Sequence, residues 1–132
     1  MDKNEKLLNM IMDFNKSVRF AAICNDQGEI LWNSQREGVK NIVPLDETKK
    51  AIKRTIDAWE ENSKISNQVG SGLYSIASYE KIKRVSIPLG RGHVLFLSID
   101  NTAKKSSKTK NYGNIADMGH ILSIVDFIKS QK

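Results

Sequence analysis

Apolar residues recur along the chain at two spacings, and each spacing predicts a different kind of element. Spacings of three and four residues place apolar side chains on one face of a helix. The helices predicted in this way span residues 3–16, about 45–64 and about 114–130. Shorter apolar or alternating runs between turn residues are typical of strands. The predicted strands span residues 19–25, 29–33, 73–79, 83–89 and 93–99.

The first and last predicted strands are the most apolar, and this determines their place in a sheet. Residues 20–24 and most of 93–99 are apolar at consecutive positions, so both faces of each strand should be covered. Short connections favour antiparallel pairing between neighbours in the chain. The sequence therefore predicts an α/β (α+β) fold of element order α-β-β-α-β-β-β-α. We expect a five-stranded antiparallel sheet in the order 2-1-5-4-3, with helices on both faces.

Length and composition fit one domain with a basic extension. The chain has 132 residues, of which 39% are apolar and 27% charged, values that are ordinary for a globular protein. We expect an α/β domain over residues 1–100 and a basic flexible linker over 101–113. Residues 114–132 should form a C-terminal amphipathic helix. Because apolar residues extend around much of this helix, it should pack on the domain or on a neighbouring chain.

The net charge of +6 is concentrated near the C-terminus. Residues 101–132 contain six of the 21 basic residues and two of the 15 acidic residues. Candidate anion contacts occur there and around the hairpin before it: Lys81, Lys83, Arg84, Arg91, Lys104, Lys105, Lys108 and Lys110. Such groups can contact phosphates, but the aromatic platforms of single-strand binders are scarce. Weak nucleic-acid binding through residues 81–110 is therefore an alternative, not the main prediction.

No residue pattern indicates catalysis, a cofactor or a metal site. Cys24 lies in a predicted buried strand, where a free cysteine is usually a small core residue. His93 and His120 lack neighbouring residues at metal-ligand spacing. No apolar run approaches the roughly 18 residues that would span a bilayer, and the charged N-terminus lacks a signal-peptide core. We therefore predict a cytoplasmic protein that is not an enzyme and does not bind a membrane.

The third predicted strand indicates self-association. Residues 73–79 contain no charged residue, proline or glycine, although edge strands usually carry such protection. The helix at 45–64 has a basic first half and an acidic second half, mostly opposite to the preference of the helix dipole. A two-fold axis would place each half against the other half of its copy. The predicted dimer interface comprises Lys49, Lys50, Lys53, Arg54, Asp57, Glu60, Glu61, Leu73, Tyr74, Ile76 and Tyr79.

Local pairing explains part of the charge pattern on this helix. Asp46 with Lys50, and Lys53 with Asp57, have the i, i+4 spacing that favours ion pairs along one helix. An accidental surface arrangement is the alternative to an interface, because surface ion pairs contribute little individually.

A family resemblance is carried by the first hairpin and by the order of elements. Residues 20–31 (FAAICNDQGEIL) resemble the apolar strand, Asp/Gly turn and apolar strand of roadblock-type domains, which have a profilin-like fold. The stretch continuing through 34–40 (SQREGVK) resembles a family of small proteins from ammonia-oxidising archaea. The lysine-rich linker and the long last helix lie outside the roadblock pattern.

The roadblock resemblance implies a non-catalytic module for protein–protein interaction. Roadblock-type proteins act as dimeric scaffolds, and some regulate small GTPases while others are associated with dynein. The implied partners are a second copy of the chain and a small GTPase or a regulatory complex. A small-molecule sensor of profilin-like fold, with its ligand between sheet and helix, is the alternative from a different functional class.

Overall fold

The computed structural model describes residues 3–14, 16–38, 44–101 and 115–130. The helices are α1 (Lys3–Phe14), α2 (Leu45–Asn62), α3 (Ser66–Val69) and α4 (Ile115–Ser130), with a 3₁₀ turn at Ser63–Ile65 between α2 and α3. The strands are β1 (Val18–Cys24), β2 (Ile30–Gln35), β3 (Ser75–Ser78), β4 (Ile82–Gly90) and β5 (His93–Asp100). Most of the predicted linker, including its four lysines, lies outside the described residues.

The five strands form one antiparallel sheet in the order β2-β1-β5-β4-β3, which confirms the predicted topology. β5 is the last strand in the chain and the middle strand of the sheet, between β1 and β4. β1 and β5 are also the strands whose consecutive apolar residues are buried. The two-sided burial that their composition predicts is therefore what places them at the centre.

The β1–β2 hairpin owes its shape to one side chain and one glycine. The Oδ1 atom of Asn25 accepts hydrogen bonds from the backbone N–H groups of Gln27 at 3.0 Å and Glu29 at 2.9 Å. Gly28 has a φ of +82°, which glycine adopts without steric cost. The asparagine thus fixes the turn, and the glycine allows the chain to reverse.

Two helical layers cover the two faces of the sheet. On one face, α1 and α4 pack over strand residues such as Ala21, Leu97 and Val85 in one buried cluster. The buried α4 residues of that cluster are Ile121, Ile124, Val125 and Ile128. On the other face, Ile52 and Ile56 of α2 cover alternate positions of the central strands. The strand residues that α2 covers on this face are Ala22, Cys24, Val94 and Phe96.

β3 is shorter than the strand predicted over residues 73–79, because only Ser75–Ser78 pairs with β4. The backbone N–H of Tyr79 donates to the carbonyl of Ile82 at 2.8 Å, so the chain is already turning at Tyr79. Before the strand, Gly72 lies so close to Trp59 of α2 that an added Cβ would overlap the indole ring. The edge strand is therefore confined between a tight turn and a helix contact.

Candidate interaction surface

The charged residues predicted at the interface are on the outer surface of α2. All seven are exposed, in the order of a basic first half and an acidic second half. Lys53 donates to Asp57 at 2.9 Å, which confirms one predicted ion pair. The other predicted pair is wrong, since Lys50 contacts Glu47 at 3.5 Å instead of Asp46. The i, i+3 position lies on the same helix face and serves equally well.

Local pairing leaves part of the charge on α2 without a partner. The hydrogen bond and negative charge of Asp57 raise the pKa of Lys53, and this pair lies along one helix. Glu61 pairs with Lys64 at 2.9 Å. Among the described residues of α2, Asp46, Lys49, Arg54 and Glu60 form no ion pair. A neighbouring molecule can meet these four exposed charges.

A groove of about 250 Å³ separates α2 from the β3–β4 side of the sheet. Three small side chains of α2, Ala51, Thr55 and Ala58, line the groove on one side, and Ser75 and Ala77 of β3 line it on the other. Arg54 and Arg84 also line the groove. Small residues on a helix allow another backbone to approach closely, so the surface has room for a packed element.

Trp59 forms a rigid end of this groove. Its indole Nε1–H donates to the Oγ atom of Ser86 on β4 at 2.9 Å. Gly72 covers the indole ring from the segment that leads into β3. Arg84 lies over the ring of Tyr79, with its Cζ atom 5.8 Å from the ring centroid, a cation–π contact. The groove is therefore bounded by side chains whose positions are fixed by several elements.

β3 is an edge strand, and it pairs with β4 alone within the described ranges. Leu73 and Tyr79, which flank it, are 47% and 55% exposed. Tyr74 and Ile76 are half-buried and pack against the α1–α4 side of the core. Of the four apolar residues predicted here, two therefore present side chains to solvent and two hold the edge in place.

The candidate anion contacts do not form one cluster. Lys81 and Arg91 are exposed at opposite ends of β4, a strand of nine residues and therefore roughly 25–30 Å long. Arg84 lies between them on the groove side. Lys104, Lys105, Lys108 and Lys110 lie outside the described residues. The candidate anion contacts that the structure describes thus do not join into one continuous basic face of the kind that follows a nucleic-acid backbone.

Lys83 is buried, with 2% of its surface exposed, and this is not the position of a surface anion contact. Its Nζ atom donates to the Oδ1 atom of Asn101. The amide of Asn101 in turn donates to the carbonyls of Tyr79 at 2.6 Å and Glu80 at 2.8 Å. A buried charge needs such hydrogen bonds. The pair therefore ties the β3–β4 turn to the end of β5.

The structure agrees with the core position predicted for Cys24. The side chain is fully buried, and desolvation raises the pKa of its thiol to about 11. A thiol in this state is not an active nucleophile near neutral pH.

The imidazole of His93 lies edge-on to Trp32, with 6.2 Å between ring centroids. In the described residues no three potential ligands come together for a metal ion, and no helix is long and apolar enough to cross a membrane.

The architecture is similar to that of several solved structures, although no family model and no curated protein matches the chain. An MglB with a tetrameric arrangement superimposes with a TM-score of 0.62 at 12% identity, over 93% of this chain and 82% of that chain. The gliding protein MglB from Thermus thermophilus gives 0.61 at 12% identity, over 96% and 88%. A roadblock/LC7 domain from Streptomyces avermitilis gives 0.60 at 13% identity, over all of both chains.

The fold of this chain is of the roadblock type. The predicted order of strands and the roadblock resemblance of the first hairpin are thus confirmed at the level of the fold. At such low identity the roadblock likeness concerns the fold alone. The resemblance to a family from ammonia-oxidising archaea stays a prediction.

Sequence patterns located the exposed parts of the candidate surface and missed the groove. The contact between Trp59 and Ser86 joins residues 27 positions apart on different elements, and no local residue spacing predicts it. Ile65 and Val69, which are 55% and 71% exposed, were also missed. The signal available in the sequence was their position after the acidic half of α2, where apolar residues do not continue its buried face.

Proposed function

We propose that this chain is a non-catalytic protein–protein interaction module of the cytoplasm, which works as a homodimeric scaffold or regulator. The observation that carries the proposal is the coincidence of two features on one side of the molecule. The unprotected edge β3 lies beside the groove, and α2 on the other side of that groove has unpaired charges of both signs.

The edge strand supplies the backbone part of the proposed interface. Ser75–Ser78 contains no charge and no proline, the residues that normally prevent pairing with another chain. Pairing of β3 with its copy around a two-fold axis would extend the sheet across both protomers. The exposed side chains of Leu73 and Tyr79 flank the same edge and would be covered in that arrangement.

α2 supplies the side-chain part of the interface. An isologous contact places a surface against itself, so an antiparallel helix pair would bring Lys49 and Arg54 towards Glu60 of the copy. The small residues Ala51, Thr55 and Ala58 along the groove would permit close approach of the two helices. Both contacts could form around one two-fold axis, and we therefore propose this side of the molecule as the dimer interface.

The proposed partner of the dimer is a small GTPase or a regulatory complex. Support for this step comes from the roadblock fold and from the regulatory role that the family resemblance implies. No residue is given a catalytic role in this proposal. A protein partner should remain bound at high salt, whereas nucleic acid held through phosphate contacts should be released.

The edge can be tested by introducing charge on β3. The double variant Ser75→Lys and Ser78→Lys places one lysine on each face of the strand, at two exposed positions. Because like charges would oppose each other across the two-fold axis, we expect a monomer in sedimentation equilibrium with an unchanged circular dichroism spectrum. The matched control, Leu31→Lys with Asn33→Lys on the opposite edge strand β2, should remain a dimer.

The proposal would be contradicted if the β3 variant stayed dimeric while the β2 control became monomeric. Binding of the proposed partner is tested separately, by affinity capture at low and at high salt. The unaltered chain and the β3 variant are each used to capture partners under the same conditions. A protein retained at high salt by the unaltered chain and lost by the β3 variant supports a dimer-dependent partner. Nucleic acid released at high salt would instead support the alternative of weak nucleic-acid binding.

A further inference from the structure

A second cavity, of about 510 Å³, lies in the other helical layer. It is formed by the start of α1, the β4–β5 hairpin and the end of α4. The sheet separates this layer from α2, since α1 and α4 pack in one core cluster and α2 in the other. The cavity is therefore distinct from the groove of the proposed dimer, and a ligand could occupy it whether or not that dimer forms.

The floor of the cavity is apolar. Leu7 and Leu89 are partly buried and pack against the main core, and Ile128 is 3% exposed. These side chains come from three elements, so the floor is part of the folded core and not a loop surface. A volume of this size is within the roughly 300–1,000 Å³ range of small-molecule sites.

The rim of the cavity is basic. Lys3, Arg91 and His93 line it together with Asn4, and no acidic residue does so among the described ones. Neither Lys3 nor Arg91 forms an ion pair within the described ranges. An apolar floor under a cationic rim is complementary to an anion that carries an apolar chain.

The two strongest cations of the rim occupy positions that local structure disfavours. Arg91 has a φ of +56° and is followed by Gly92 at +76°, a turn in which asparagine or glycine is preferred at the first position. Lys3 lies in the first turn of α1, where the helix dipole favours acidic residues. Folding alone does not explain a basic residue at either position. The backbone strain at Arg91, on the rim of a cavity, points to function.

We propose that this cavity binds a small amphipathic anion, a carboxylate with an unbranched apolar tail. The tail lies on Leu7, Leu89 and Ile128, and the carboxylate meets Arg91 and Lys3. The planar guanidinium of Arg91 suits this role because it can donate two parallel hydrogen bonds to a carboxylate. The chain thus has a ligand site on the face opposite its proposed dimer surface.

Decanoate is the probe for this site, and its binding is measured by isothermal titration calorimetry and by the change in tryptophan emission. Trp32 should respond because it packs edge-on to His93 of the rim, whereas Trp59 lies on the other face of the sheet and should contribute a constant background. We expect saturable binding with one decanoate per chain. Acetate, which lacks the tail, and decyltrimethylammonium below its micelle concentration, which reverses the charge, should both fail to bind. An acidic, leucine-containing peptide tests whether the occupant is instead a protein segment.

Two variants separate binding from folding. Arg91→Gly suits the positive φ and should weaken decanoate binding by about tenfold while the melting temperature stays equal or rises. Lys3→Glu should also weaken binding and leave α1 at least as stable, because it places an acid in the first turn. The matched control is Lys6→Glu, the same change at an exposed α1 position that does not line the cavity, and it should bind as the unaltered chain does.

Four results would overturn the proposal. The first is the absence of saturable decanoate binding to the unaltered chain. The second is equal binding of decyltrimethylammonium, which would mean that the cationic rim does not select the ligand. The third is unchanged affinity in both Arg91→Gly and Lys3→Glu. Binding of the acidic peptide in place of decanoate would likewise replace the small-molecule site with a protein contact.

Discussion

At the scale of the residue, Gly72 determines how the segment before β3 meets α2. The indole of Trp59 occupies the space where any larger residue would place its Cβ atom. The same indole donates to Ser86 on the sheet. One glycine therefore allows a tryptophan, a strand and a loop to meet at the end of the groove.

Gly72→Ala should displace the Trp59 ring and break its hydrogen bond to Ser86. Overpacking of this kind costs about 1–3 kcal/mol, so we expect a lower melting temperature and a red-shifted tryptophan emission. The matched control is Gly119→Ala on α4, where an added Cβ meets nothing within 4 Å. Because alanine favours a helix, the control should stabilise the chain by about 0.5–1 kcal/mol. Equal melting temperatures for the two variants would contradict this account.

Single residues also show where prediction from sequence stops. The core position of Cys24 follows from the apolar run around it, and the structure agrees. The period-two spacing of Lys83 with Val85 and Ile87 places it on the inward face of β4, but its charge led to the prediction of an exposed anion contact. The sequence did not indicate Asn101, 18 positions later, which accepts a hydrogen bond from Lys83 inside the fold. Hydrogen bonds between distant residues leave no periodic signal in a sequence.

At the scale of the element, strand order was predictable and strand length was not. Burial on both faces of β1 and β5 depends only on the composition of each strand, so the sheet order followed from it. The ends of β3 depend on Trp59 and on the turn at Tyr79, which belong to other parts of the fold. Element identity is thus encoded locally, and element boundaries are set by tertiary contacts.

The unpaired charges of α2 provide a test at this scale. Arg54→Glu should weaken the proposed dimer about twofold to thirtyfold, since each exposed ion pair contributes about 0.2–1 kcal/mol and two-fold symmetry doubles the effect. Adding Glu60→Arg to the same chain should restore most of the affinity, because the two halves of the helix become complementary again. Sedimentation equilibrium measures both.

The charge test has two controls. Lys6→Glu on α1 changes the net charge equally and should not affect the dimer. At 1 M salt the effect of Arg54→Glu should disappear, since the Debye length falls to about 3 Å. A loss of affinity in the double variant as large as in the single one would argue against an antiparallel helix contact.

At the scale of the whole molecule, α4 completes the main core. Four of its side chains are at most 5% exposed, and they belong to the same cluster as α1 and the sheet. The ring of Phe127 also stacks on Phe14 of α1, with 5.9 Å between centroids. The helix is therefore part of the described fold, on the face opposite α2.

Truncation after Asn101 should abolish the stable fold. Each buried isoleucine or valine contributes about 1.5–3 kcal/mol, and the four buried residues of α4 together approach the 5–15 kcal/mol that stabilises a typical domain. Asn101 is kept so that its hydrogen bonds to the β3–β4 turn are not lost as well. We expect aggregation or a large decrease in melting temperature, measured by calorimetry and light scattering.

A matched pair within the full chain checks the cause. Ile124→Asp places a charge at a position that is 1% exposed and should destabilise the fold by at least about 3 kcal/mol. Leu122→Asp, two residues away and 43% exposed, should change stability by less than about 1 kcal/mol. A truncated chain that melts like the full one would show that α4 is dispensable.

The position of β5 has a consequence for how the chain folds during synthesis. The strand that joins the β1–β2 hairpin to the β3–β4 hairpin is the last of the five to leave the ribosome. Until it emerges, β1 lacks the strand with which six of its residues pair in the folded sheet. Pairing between Val18 and Ile99 closes a loop of some eighty residues, a contact of high order that slows folding. We therefore expect this chain to fold more slowly than one of equal length whose strands pair only with their neighbours in sequence.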